Sequence, residues 1–162
     1  MNTYLNKIRT LEAAKDRCNQ MKRIGKRIVF TNGCFDILHP GHTRYLSAAR
    51  ELGDFLVVAV NSDASVRSIK GPKRPIVDEQ ARAELVAALE CVDMVLIFEE
   101  DNPLRVIQNL LPDILVKGGD WAADEIIGSD VVKNRGGEVK RIPFVTGWST
   151  TDIIDRVVRR YG

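Results

Sequence analysis

The feature that most constrains the fold is an alternation of short apolar runs with segments of helical periodicity. Helical patterns lie at about 41–52, 78–90, 103–111 and 149–160, between or after the apolar runs. Apolar strands joined by crossover helices indicate a parallel sheet that is covered on both faces. The predicted strands are RIVFT (27–31), FLVVAV (55–60), DMVLIF (93–98), DILVKG (113–118) and GEVKRIPF (137–144).

Right-handed crossovers turn this element order into a doubly wound sheet. We therefore predict a Rossmann-like α/β fold in which five parallel strands lie in the order 3-2-1-4-5. In such folds a ligand binds beyond the carboxyl ends of the strands, where the strand order reverses. That rule directs attention to the loops after strands one, two, four and five.

The N-terminal segment has its own helical pattern. Leu11, Ala14, Cys18 and Met21 recur at three- and four-residue spacing, which places them on one helical face. Gly25 is suited to end that helix. We predict a helical segment over 1–25, packed on a single domain over 26–162, and the same apolar face could instead pack on a partner chain.

Composition excludes several classes of protein. The net charge of +2, from 24 basic and 22 acidic residues, is too small to indicate a nucleic-acid or membrane-surface partner. No apolar run approaches the roughly 20 residues of a membrane-spanning helix, and the first residues lack the apolar core of a signal peptide. Three widely spaced cysteines indicate neither a disulfide framework nor a CxxC site, so we expect a cytoplasmic protein.

Both histidines of the chain lie in one loop, TNGCFDILHPGH (31–42), directly after the first predicted strand. Gly33 permits a tight turn, and the helix that begins near Gly41 offers free backbone N–H groups and the positive end of its dipole. With ordinary pKa values near 6.5, His39 and His42 can donate hydrogen bonds to a phosphate and gain charge as it approaches. The loop therefore predicts a phosphate site.

Two other interpretations of the histidine pair stay open on the residues alone. The pair could be a capping and core feature of the turn. It could also belong to a zinc site that includes Cys34, although a convincing third and fourth ligand are missing.

The motif HPGH (39–42), embedded in GCFDILHPGH, resembles the signature of the HxGH nucleotidyltransferase superfamily. GWSTTDII (147–154) resembles its second signature, a hydroxyl-rich turn that opens the last helix. The blocks VVAVNSDASVRSIKGPKRPI, ALECVDMVLIFEEDNPLRVI and PDILVKGGDW are further similar to the adenylyltransferases that form ADP-heptose for the lipopolysaccharide inner core. In many bacteria that enzyme is fused to a sugar kinase, and this chain resembles the stand-alone form.

The resemblance implies roles for individual residues. His39 and His42 would grip the triphosphate of ATP and stabilise the transition state, with Lys117 and Arg44 as further catalytic cations. Thr31, Asn32, Gly33, Phe35 and Gly41 would shape the nucleotide loop, and Gly118 and Asp120 would approach base and ribose. The turn residues Ser149, Thr150 and Thr151 would hold the β- and γ-phosphates, although an N-cap role is expected for one of them. Substrate contacts are expected for Asp36, Asn61 and Asp63, although orienting a partner residue or shaping a turn is an equal alternative for Asp36. Lys70 and Arg74, in a long basic connection over 61–77, could meet the sugar phosphate, with a merely solvated charged loop as an equal alternative.

The implied reaction joins ATP and heptose 1-phosphate to give ADP-heptose and pyrophosphate. Magnesium is expected as the cofactor because it neutralises the triphosphate, with no protein-held metal cage. Relatives often form dimers, so a homodimer is a further prediction. The alternatives are a cytidylyltransferase acting on glycerol 3-phosphate or a similar phosphorylated alcohol, and a nucleotide-binding module without catalysis.

Overall fold

A computed structural model describes residues 3–119 and 125–162. Its centre is a sheet of five parallel strands in the order β3-β2-β1-β4-β5, as the sequence predicts. The strands are β1 (Ile28–Gly33), β2 (Phe55–Asn61), β3 (Met94–Phe98), β4 (Ile114–Gly118) and β5 (Glu138–Ile142). The chain therefore has a Rossmann-like α/β fold.

Successive side chains of each strand point to opposite faces of the sheet. Both faces are apolar here, and helices cover both of them. On one face, Phe30 and Val57 pack with the cluster that contains α1 and α5 residues. On the other face, Val29 and Val58 pack with residues of α2 and α4. The helices of the described residues are α1 (Leu11–Arg23), α2 (Pro40–Arg50), α3 (Asp63–Lys70), α4 (Glu79–Ala87), α5 (Leu104–Leu110), α6 (Ser129–Lys133) and α7 (Thr150–Tyr161).

The N-terminal helix α1 belongs to this core. Thr10 caps it by accepting a hydrogen bond from the N–H of Ala13, and Gly25 follows with φ of +76°. Ala14 and Cys18 are fully buried against strand residues. The apolar face of α1 thus packs on its own chain, while the division of the chain at residue 25 stays a prediction.

The connection after β2 differs from the prediction. The sequence predicts a long basic loop over 61–77, but the structure forms α3 within it. Ser62 caps α3 by accepting from the N–H of Ser65, and Val66 is buried beneath it. The Ser-Asp start is an N-cap signal, and Pro72 and Pro75 do not interrupt the helix because they follow it.

Candidate active site

The loops of the candidate site lie beyond the carboxyl ends of β1 and β4. Strand β1 pairs with β2 on one side and with β4 on the other, so the strand order reverses there. Such a reversal opens a crevice above the sheet. The loop after β1 and the start of α2 form one wall of this site, and the residues before α7 contribute another.

The two histidines form a stacked pair at the start of α2. Their ring centroids are 3.8 Å apart with an interplanar angle of 20°. His39 is the N-cap residue and makes no side-chain capping bond. The N–H of His42 donates to the carbonyl of His39 at 2.9 Å, so the helix start is closed by backbone alone. The Nδ1 atoms of both rings are buried and have no hydrogen-bond partner among the described residues. Buried polar atoms without partners are rare, and a ligand that binds at the helix start and rearranges the pair is one explanation for them.

Gly41 is required by the packing of this pair. A Cβ atom at Gly41 would lie 2.8 Å from Cε1 and 2.9 Å from Nδ1 of the His39 ring. Any side chain there would push His39 away from the helix start. The glycine of the HPGH motif therefore fixes where the first imidazole lies.

Burial makes both imidazoles weak bases in the ligand-free protein. It lowers the pKa of His39. Burial, together with the neighbouring His39, lowers the pKa of His42 to about 4. Both rings are therefore neutral at pH 7, which corrects the expectation that they start near pKa 6.5. A neutral ring still has one N–H to donate, and a bound polyphosphate raises its pKa.

The loop before the histidines has an unusual backbone. Phe35 and Ile37 have φ of +48° and +52°, in the left-handed region that β-branched and bulky residues rarely adopt. The buried ring of Phe35 meets the edge of His42 at a centroid distance of 5.4 Å. Strain of this kind collects at functional sites, where the surrounding packing maintains it. At the base of the loop, the buried hydroxyl of Thr31 bonds the phenol of Tyr45 at 2.7 Å.

Asp36 joins the loop after β1 to residues 74–77. Its fully buried carboxylate accepts from the N–H groups of Ile76 and Val77 and from Nε of Arg74 at 2.7 Å. Although burial opposes ionisation, these donors hold the pKa of Asp36 below its usual value. The predicted direct substrate contact of Asp36 does not fit this geometry, whereas its alternative role in orienting partners does. Arg74 uses one N–H on Asp36, and a substrate contact by its other N–H groups stays a prediction.

Lys117 and Asn32 meet where β4 and β1 end. The Lys117 ammonium donates to Oδ1 of Asn32 at 3.3 Å. Burial lowers the pKa of Lys117. The structure therefore brings together a cation predicted to be catalytic and an amide predicted to shape the nucleotide loop. Lys70 is exposed at the end of α3, and its substrate contact stays a prediction.

The three hydroxyl-bearing residues at the start of α7 make different contacts. Ser149 caps the helix by accepting from the N–H of Asp152 at 3.0 Å. Thr150 donates to the backbone carbonyl of Asp36 at 2.6 Å, which ties α7 to the loop after β1. Thr151 is exposed. A phosphate contact therefore depends mainly on Thr151 and the first N–H groups of α7, and it stays a prediction.

The residues at the end of β2 are engaged in holding α3 and α4. Asn61 is buried and donates to Oγ of Ser65, and its predicted contact with a sugar hydroxyl stays a prediction. Asp63 pairs with the fully buried Arg82 at 2.9 Å. Arg82 also donates to the carbonyls of Val77 and Cys34. Arg82 thus stabilises the loop after β1 from inside the chain, and the substrate contact of Asp63 stays a prediction.

One predicted residue, Arg44, is not brought into this cluster. Arg44 is exposed on α2, two positions after His42, and residues at that spacing do not share a helical face. Asp120 lies outside the described residues. The phosphate contact of Arg44 stays a prediction.

Sequence reasoning missed an aromatic partner of the histidines. Trp148 stacks on His39 at a centroid distance of 6.2 Å and an interplanar angle of 20°. Its Cβ would lie 3.2 Å from a Cβ at Gly41. The stretch GWSTT carried this signal, because it sets a tryptophan directly before the helix-capping serine.

Over residues 3–119 and 125–162, no three His, Cys, Asp or Glu side chains gather as a metal site would require. No helix in the same part of the chain is long and apolar enough to cross a membrane.

Comparison with known proteins agrees with the fold and the loop motifs. A family model described as cytidylyltransferase-like matches residues 30–156. The bifunctional protein HldE of Syntrophotalea carbinolica is 53% identical over 158 residues, which are 98% of this chain and 32% of that relative. The protein of the same name from Trichlorobacter lovleyi is 53% identical over 96% of this chain and 32% of its own length. The chain thus spans about a third of the length of these curated relatives.

A solved structure also matches. The lipopolysaccharide core biosynthesis protein from Thermoplasma volcanium is 32% identical, with a TM-score of 0.62, over 75% of this chain and 98% of that chain.

Proposed function

Because the chain belongs to the cytidylyltransferase-like family of nucleotidyltransferases, we propose that it transfers an adenylyl group from ATP to D-glycero-β-D-manno-heptose 1-phosphate. The products are ADP-heptose and pyrophosphate. One observation carries the proposal: two buried, neutral imidazoles with unpartnered Nδ1 atoms stack at a helix N-terminus without a side-chain cap. Such a place is suited to a polyphosphate, since N–H groups and the helix dipole both favour an anion there.

The reaction needs positioning more than a covalent nucleophile. A phosphate oxygen of the sugar attacks the α-phosphorus of ATP in line. The bond from that phosphorus to the oxygen bridging to the β-phosphate breaks, and pyrophosphate leaves. His39 and His42 donate to the oxygens on which negative charge grows. Lys117, held by Asn32, supplies a cation at the neighbouring strand end.

The identity of the acceptor rests on likeness. The relatives named HldE are similar over nearly the whole of this chain, and the solved relative is described as a lipopolysaccharide core biosynthesis protein. The blocks SIKGPKRPI and LVKGGDW resemble the ADP-heptose-forming enzymes rather than the glycerol-phosphate enzymes. These likenesses support a heptose phosphate as the acceptor, while the cytoplasmic location and the homodimer stay predictions.

Magnesium would arrive on the nucleotide. In the described part of the site no cluster of carboxylates offers a cage, and the carboxylate of Asp36 is already engaged by three donors. The phosphates of ATP would therefore be its main ligands, in keeping with the preference of this ion for few protein ligands. Bound there, it would neutralise the triphosphate and the leaving pyrophosphate.

The decisive experiment measures pyrophosphate release with ATP or CTP against heptose 1-phosphate or glycerol 3-phosphate. We expect turnover with ATP and heptose 1-phosphate. Turnover restricted to CTP and glycerol 3-phosphate would establish the second candidate, a cytidylyltransferase. Nucleotide binding without turnover of any pair would instead indicate a non-catalytic module.

A variant tests the role of the histidine pair in the same assay. Loss of one preorganised donor typically lowers kcat by about 100-fold or more, so His42→Ala should lose turnover while its circular dichroism spectrum stays unchanged. Ser47→Ala, an exposed position on the same helix, is the matched control and should keep full activity. Full activity of His42→Ala would show that the imidazole does not take part in catalysis.

A further inference from the structure

One phenylalanine of the chain lies outside the core. The chain has five, and four of them are at most 9% exposed: Phe30, Phe35, Phe55 and Phe98. Phe144 is 74% exposed. A large aromatic side chain that is left in solvent loses the stabilisation of about 1.5–3 kcal/mol that burial of such a group supplies. Its ring is therefore open to contact with a ligand.

The ring of Phe144 lies against bare backbone at the end of β4. A Cβ at Gly118 would come within 2.9 Å of the ring, and one at Gly119 within 2.5 Å. Gly119 also has φ of +91°, which favours glycine, and its N–H donates to the carbonyl of Ile142. The two glycines thus leave a flat place for one side of the ring, and most of the ring surface stays open to solvent.

This open ring lies in the candidate active site. Gly118 directly follows Lys117, whose ammonium meets Asn32. The loop that carries Phe144 continues to Trp148, which stacks on His39. Phe144 therefore flanks the crevice on the β4–β5 side, while the histidines that would hold the α-phosphate lie on the β1 side. A nucleotide that spans the crevice extends its base toward β4 and β5.

We propose that Phe144 stacks on the base of the bound nucleotide and favours a purine over a pyrimidine. The inference rests on the proposed function and adds a specificity-determining residue to it. Aromatic side chains stack on any base, but the two fused rings of a purine cover more of the phenyl surface than the single ring of a pyrimidine. The larger contact removes more apolar area from water. The ring thus discriminates by contact area.

The test compares Phe144→Ala with Phe144→Trp and with Tyr161→Ala. Tyr161 is an 85% exposed aromatic residue at the far end of α7 and serves as the matched control. Titration calorimetry with α,β-methylene-ATP and α,β-methylene-CTP gives the affinities without turnover. We expect Phe144→Ala to bind the ATP analogue about tenfold more weakly, within the range that base stacking supplies, and to lose most of its preference over the CTP analogue.

Steady-state kinetics complete the test. The KM for ATP should rise in Phe144→Ala with kcat and the KM for the sugar phosphate little changed, and Phe144→Trp and Tyr161→Ala should behave as the wild type. Unchanged ATP-analogue affinity in Phe144→Ala, or a change confined to the sugar phosphate, would overturn the inference while turnover by the wild type upholds the proposed function. A wild type that neither binds nor turns over nucleotide would overturn both.

Discussion

Burial of two imidazoles decides what chemistry the HPGH motif can perform. In the ligand-free protein the pKa of His42 is about 4, so the pair meets its ligand as neutral donors and not as a standing cation pair. Two stacked imidazolium rings 3.8 Å apart would repel each other. The charge that the site needs is instead supplied by the helix start and by Lys117, whose own pKa burial also lowers.

This burial predicts a pH dependence of stability. The folded pKa of His42 lies below the ordinary value near 6.5, so the unfolded chain binds more protons between these two values. The free energy of unfolding therefore falls as the pH drops from about 6.5 toward 4, by about 2 kcal/mol at pH 5 for this residue alone. Urea unfolding of the wild type and of His42→Gln at pH 7 and pH 5 measures it.

Protonation of carboxylates lowers the stability of both the wild type and His42→Gln at acid pH. The difference between the two proteins in stability lost from pH 7 to pH 5 therefore isolates the contribution of His42. We expect His42→Gln to lose less stability between pH 7 and pH 5 than the wild type. Equal losses in the two proteins would show that His42 titrates normally in the folded state.

At the scale of elements, the site is an arrangement of two helix starts around one strained loop. Helix α2 begins at the histidines without a side-chain cap, whereas α7 is capped by Ser149. Asp36 lies in the loop that leads to α2, and its carbonyl accepts from Thr150 at the start of α7. Its carboxylate holds residues 74–77 at the same time. The position of α7 relative to the histidines thus depends on Asp36.

Removing the hydroxyl of Thr150 tests this connection. Thr150→Val keeps the shape but leaves the buried Asp36 carbonyl without a donor, which should cost about 1–3 kcal/mol of stability. The KM for ATP should also rise, because the start of α7 is released from the loop. Denaturant unfolding and steady-state kinetics measure both effects.

Thr151→Val is the control for the stability measurement, because Thr151 is exposed and the same kind of change there should alter unfolding by less than about 0.5 kcal/mol. Equal unfolding midpoints for Thr150→Val and the wild type would contradict the proposed link.

At the scale of the whole molecule, the parallel sheet places the loops of the candidate site at one edge, where the strands have their carboxyl ends. The N-terminal helix takes part in this, since Ala14 and Cys18 lie in the same cluster as Phe30 and Leu110. Burial raises the pKa of the Cys18 thiol to about 11, as expected for a structural cysteine. The residues of α1 are therefore part of the core that supports β1 and its loop.

A charge on the buried face of α1 should destabilise the entire fold. Ala14 is fully buried, so Ala14→Glu places a carboxylate in the core. We expect it to lower the free energy of unfolding by at least about 3 kcal/mol. Asn19→Glu adds the same charge on the exposed side of the helix and should change stability by less than about 0.5 kcal/mol. Thermal unfolding followed by circular dichroism compares the two. Equal stability of the two variants would show that α1 is not part of the cooperative core.

The sequence alone determined the strand order, the helices α1, α2, α4, α5 and α7, and the loop that holds both histidines, because apolar periodicity and turn chemistry are local properties. It did not determine which polar side chains face the crevice. Asp36, Asn61 and Arg82 are polar residues whose side chains bond to residues up to 48 positions away. Only the tertiary structure pairs such groups, and only it sets the burial that makes the HPGH imidazoles neutral, because desolvation depends on everything that packs around a group.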